Sequence, residues 1–116
     1  MKLNYNVREI FYKGKIDDIV FDFEKEYELL TTFLCADVHP FSLNVREAFD
    51  NVLNGRSDYE EISGNICGVE IHKEKTKIYD NLAEDGKGNW CEVDTKELRE
   101  LIEIWSNKLK EFRKEN

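Results

Sequence analysis

The sequence predicts an α+β domain: an N-terminal strand, two helices, an antiparallel β-meander, and a C-terminal amphipathic helix packed on the sheet. Three observations lead there. Apolar residues alternate with a period of two near the N-terminus and again over residues 67–71. They recur at helical spacing between residues 23 and 52, and again from residue 98 onward. The connections in the later part are short and polar, which suits antiparallel neighbours and leaves no room for parallel crossovers. With 116 residues and 41% hydrophobic side chains, residues 1–116 read as one domain able to bury a core.

The elements follow in order. Leu3, Tyr5 and Val7 alternate with Lys2, Asn4, Asn6 and Arg8, which predicts a strand with one buried face. Lys13-Gly14-Lys15 reads as a turn, and Ile19-Val20-Phe21 as a short second strand or the lead-in to a helix. The first helix is expected to begin at Asp22, whose carboxylate suits an N-cap, and to carry Phe23, Tyr27, Leu30 and Leu34 on one side. His39-Pro40 is expected to close it, because a residue before proline is pushed away from helical angles. Ser42 then caps a second helix bearing Val45, Ala48, Phe49 and Val52, and Gly55 ends it.

Tyr59 to Ile62 reads as a strand and Ser63-Gly64-Asn65 as a turn. Cys67, Val69 and Ile71 alternate with Gly68, Glu70 and His72, predicting a half-buried strand with Thr76 to Tyr79 as its partner. Glu84 to Asn89 is a polar loop, and Trp90 to Val93 a further strand. Asp94 and Glu97 have the spacing of a capping box, with Thr95 as the alternative cap. Leu98, Leu101, Ile102, Trp105, Leu109 and Phe112 form one apolar stripe, which the meander is expected to cover.

The charge narrows the function classes. The formal net charge is −8, from 25 acidic and 17 basic side chains. That disfavours direct nucleic-acid binding, which needs cations to displace counterions from phosphates. It favours a basic protein partner. The whole excess lies in residues 15–61, where 12 acids face only Lys15, Lys25, Arg46 and Arg56. Asp17, Asp18, Glu24, Glu28, Asp58 and Glu60 are therefore the candidate partner-binding residues, with Phe21, Phe23, Tyr27, Phe41 and Tyr59 interleaved as possible anchors. A plain solvated helix face is the alternative.

No catalytic motif is present, and no cofactor is assigned. Cys35 and His39 stand four apart, as two helical metal ligands would, but a closed zinc site needs four, and Cys67, His72 and Cys91 supply no second close pair. Cys67 and His72 should point to opposite faces of their strand. No metal site is assigned, although a small metal-dependent regulator or enzyme built on these five residues is the rival reading. There is no apolar run near the N-terminus and no stretch of about 18 apolar residues, so neither export nor a membrane span is expected. Three scattered cysteines then fit reduced thiols in a cytoplasm, with one internal disulfide as the alternative.

The carboxyl half carries a likeness. Gly64-Asn65-Ile66-Cys67 runs into the alternating strand and then Lys75-Thr76-Lys77-Ile78-Tyr79. Cys91-Glu92-Val93-Asp94-Thr95 leads into Glu97-Leu98, and Leu101-Ile102 precedes Trp105. Over residues 58–112 this resembles small bacterial immunity proteins of polymorphic toxin and contact-dependent inhibition systems. The resemblance implies a non-enzymatic inhibitor that binds one cognate toxin in the cytosol. Many such toxins are nucleases with basic substrate-binding surfaces, which an acidic segment would suit. The matching positions look like scaffold, so the resemblance assigns no binding residue. An exposed edge of the meander would also allow a homodimer.

Overall fold

The computed structural model describes residues 3–64, 66–80 and 90–115, with the side chains at 15–18, 36, 37, 39–43 and 112–115 outside the description. The chain is α+β, with two antiparallel sheets around a shared helical layer. β1 (Tyr5–Tyr12) and β2 (Lys15–Phe23) form a hairpin. Its two-residue turn places Lys13 at φ 53° and Gly14 at φ 80°, the left-handed pair that matches the twist of the flanking strands. Ile10 pairs with Asp18 and Phe11 with Ile16, so Asp17 is the extra residue of a bulge.

This hairpin corrects three expectations. The second strand is long, and Asp22 lies inside it rather than capping a helix. Its carboxylate takes the Arg8 guanidinium at 2.6 Å, a cross-strand partner 14 residues away in the chain. β1 has no cleanly buried face either: Val7 is 46% exposed, and only Tyr5 and Ile10 are half-buried. Burial on this hairpin belongs to β2, through Ile19, Val20 and Phe21, with Tyr5 stacked on Phe21 at 4.5 Å.

After a single 3₁₀ turn at Lys25–Tyr27, α1 (Glu28–Thr32) passes through a π-helical stretch, Phe33–Val38, into α2 (His39–Leu53). The helix therefore does not stop at His39-Pro40, and Ser42 lies within α2 instead of capping it. Proline lacks an N–H, and its ring would meet the carbonyl four residues back. A widened turn just before Pro40 carries the rod on without a break. Leu29, Leu30, Phe33, Leu34 and Val38, then Val45, Ala48, Phe49 and Val52, fill the core. Gly55 ends α2 as expected. At φ 80° its N–H reaches the Val52 carbonyl, while the Arg56 N–H reaches that of Asn51.

β3 (Tyr59–Ser63), β4 (Cys67–His72), β5 (Lys75–Asp80) and β6 (Trp90–Asp94) form the expected meander, ordered β3-β4-β5-β6. Asn65 and the Glu84–Asn89 loop lie outside the described residues. α3 (Thr95–Glu115) packs on β5, β6, α2 and β2 through Leu98, Leu101, Ile102, Trp105 and Leu109. The Phe112 side chain of that stripe lies outside the description.

The start of α3 is half a capping box. Asp94 Oδ1 accepts from the Glu97 N–H at 2.9 Å. Glu97 does not return the bond to Asp94; its Oε2 accepts instead from the Leu3 N–H at 2.7 Å, tying the N-terminal segment to α3. Thr95 is no cap but a buried anchor. Its hydroxyl donates to the His72 carbonyl and accepts from Thr76 Oγ1 at 2.8 Å, while its N–H meets the Glu74 carbonyl at 3.0 Å. These bonds fix α3 to the β4–β5 hairpin and leave one sheet face to the helices. Among the described residues no helix is long and apolar enough to cross a membrane.

Candidate partner-binding surface

The strand register sorts the meander into two faces. Toward the helices, Ile62, Val69, Ile78 and Cys91 form one row across the four strands, and Glu60, Ile71, Thr76 and Val93 the next. On the opposite face Glu61, Glu70, Lys77 and Glu92 stand side by side, followed by Ser63, Gly68, Tyr79 and Trp90. Tyr59 pairs with His72 at the far end of that face. Among the described residues no element packs on it, and its side chains are half-buried or exposed, with Tyr59 at 40% and Trp90 at 51%.

Each aromatic ring there is held in place. Tyr79 lies over the bare backbone of its register partner Gly68, where a Cβ would come within 2.3 Å of the ring. Lys77 Nζ sits 4.9 Å from the centre of the Trp90 ring. Tyr59 packs against His72 at 4.8 Å and donates its hydroxyl to Glu61 Oε2 at 2.6 Å.

The carboxylates shape the electrostatics. Glu61 stands directly opposite Glu70, a like-charge pair that disfavours the free fold. Lys77 separates Glu70 from Glu92, and Lys75 lies at the β4–β5 end of the face. The Tyr79 phenol is pushed up by burial and then by Glu61 and Glu70. That of Tyr59 is pushed up to about 12, chiefly by its hydrogen bond to Glu61. Because the folded value is raised, this bond supports the fold fully below the ordinary tyrosine value of about 10. Its contribution is lost as pH climbs from there toward about 12. In Glu61→Ala, the Tyr59 ring signals followed by NMR should titrate clearly below about 12; an unchanged midpoint would show that the bond to Glu61 does not set it.

The six acids expected from sequence come from several segments: β2, the connection into α1, the start of α1, and β3 with the residue before it. Asp17 and Asp18 lie in β2, with side chains outside the description. Glu24 is exposed on the segment leading into α1, and Glu28 is exposed at the first position of α1, which packs on β2 and β5. With Asp22 and Asp80, Glu28 lines a groove of about 460 Å³, where Phe23, Leu29 and Ile66 add apolar wall. Asp58 is exposed just before β3, and Glu60 sits half-buried on the helix side of that strand. Other acids of residues 15–61 are engaged internally: Asp22 by Arg8, and Asp50 by Arg99 at 2.9 Å. Arg99 and Arg46 also reach Glu103, at 3.7 and 3.1 Å, so a charge network ties α2 to α3.

Sequence reasoning named Tyr59 but passed over Glu61, Glu70, Tyr79, Trp90 and Glu92. Their common signal was available as the outward phase of each predicted strand.

Among the residues with described side chains, Cys35, Cys67, His72 and Cys91 lie on three elements. Cys67 and Cys91 are buried on the helix side of the sheet, Cys35 is half-buried in the π-helical stretch, and none of the three is in a disulfide. Burial pushes the Cys91 thiol up to about 11, so it stays protonated and poorly nucleophilic at neutral pH. His72 is on the open face, away from Cys67 and Cys91, and the His39 side chain lies outside the description. Among the described residues no three His, Cys, Asp or Glu side chains are grouped to hold a metal ion.

Comparison with known proteins gives one informative match. The chain is 46% identical over 114 residues to a protein of Bacillus cereus named "Immunity protein", covering 98% of this chain and 94% of that one. No protein-family model and no solved structure matches the chain.

Proposed function

The chain belongs to the same family as the Bacillus cereus immunity protein, and from that premise we propose that it binds and neutralises one cognate bacterial toxin. It acts by occlusion, covering the toxin's active or substrate-binding surface without chemistry of its own, and it does so in the cytosol. The observation that carries this reading is the identity over nearly the full length of the relative. The net charge of −8 supports a basic partner, and a nuclease with a cationic substrate channel is the kind of toxin it suits. The buried, protonated Cys91 thiol argues against a nucleophilic role for that residue.

The test is functional capture. Immobilised protein is expected to retain from host lysate a toxin domain that arrests growth when expressed alone and is harmless when co-expressed with this chain. If no retained protein is both toxic and neutralised, the reading fails.

A further inference from the structure

The helix-free face of the meander combines features that the fold itself does not require. We propose that this face, centred on Tyr59, Glu61, Glu70, Tyr79, Trp90 and Glu92, is the docking surface for the toxin, and that it receives a lysine- and arginine-bearing protein surface. The proposal rests on the toxin-binding reading above and says where on the chain that binding occurs.

Three observations carry it. The first is aromatic exposure without looseness. Trp90 and Tyr59 are 51% and 40% exposed, yet Lys77 and the Glu61 carboxylate hold their polar or ring contacts. Tyrosine and tryptophan fixed in this way bury large areas on binding and lose little rotamer freedom, which is the profile of interface anchors.

The second is Gly68. A residue without a side chain in mid-strand weakens a sheet, and here it makes room for the Tyr79 ring to lie flat across the strand. The result is a broad, shallow aromatic platform in place of an upright side chain.

The third is charge. Glu61 and Glu70 face each other directly across β3 and β4, an arrangement that costs the free protein stability and that a cation between them would reverse in sign. Glu92 extends the carboxylate row on β6, with Lys77 between it and Glu70 and the Lys77 ammonium beside the Trp90 ring. Guanidinium groups match this set: they pair with carboxylates through two parallel bonds and stack on aromatic faces. With a whole-chain charge of −8, the long-range field steers the same class of partner.

The test uses the captured toxin domain and three forms of the full chain: wild type, a face variant (Glu61→Lys, Glu70→Lys, Trp90→Ala), and a helix-side variant (Glu24→Lys, Glu28→Lys). Circular dichroism and thermal melting first establish that each is folded, and Trp90→Ala alone serves if the triple variant is not. Calorimetry and growth rescue then rank them. The face variant is expected to bind at least about 100-fold more weakly and to lose protection, while the helix-side variant stays within about threefold of wild type. Equal binding by the face variant and wild type overturns the docking surface and leaves the toxin-binding reading standing. Failure of wild type itself to bind or protect overturns that reading instead. A wild-type dimer that the face variant converts to monomer, with protection unchanged, assigns the face to a second copy and also overturns the proposal.

Discussion

Replacing Trp105 with alanine is expected to cost about 3–5 kcal/mol of folding stability, measured by urea unfolding. Trp105 is the largest fully buried side chain and sits mid-way along α3, the helix that touches α2, β2, β5 and β6. Truncation removes the transfer energy of the indole and leaves a cavity between elements pinned elsewhere by Thr95 and by the Arg99–Asp50 pair. Against a total of about 5–15 kcal/mol for a domain of this size, the variant approaches its unfolding threshold. Ile104, the preceding residue, is 51% exposed, so Ile104→Ala should stay within about 0.5 kcal/mol of wild type. A cost at Trp105 below about 1 kcal/mol would contradict the packing of α3 described above.

Legibility in the sequence tracked how local each determinant was. The meander strands and α3 were readable because alternation and the helical stripe are properties of consecutive residues, and the apolar phases of β4, β6 and α3 are those that are buried. Asp22 was misread because Phe23, Tyr27, Leu30 and Leu34 satisfy a helical period starting one residue later. What holds Asp22 in a strand is pairing with β1 and the charge of Arg8, neither of which is local. Pro40 was misread for the opposite reason. A sound local rule was overridden by a widened helical turn that lets the chain run on.

The surface was less legible than the fold. Summing charge along the chain drew attention to residues 15–61, yet part of that acid is engaged by Arg8 and Arg99, which come from outside the segment. The row Glu61, Glu70, Lys77 and Glu92 draws one residue from each of four strands and exists only once the register is set. Outward phase was available from alternation; register was not. Gly68 shows the same limit, since nothing next to it in sequence announces that Tyr79 will lie across it.

That the chain neutralises a toxin through the open face of its meander is tested most directly by a carboxylate footprint. The free protein and its toxin complex are labelled with a water-soluble carbodiimide and an amine, and modification is read residue by residue. On binding, Glu61, Glu70 and Glu92 are expected to lose most of their labelling, because a docked protein surface excludes both reagents. Glu24 and Glu28 should label alike in both states, since they lie exposed outside the meander, between β2 and the start of α1. Protection of Glu24 and Glu28 with the sheet carboxylates still labelled would contradict the account.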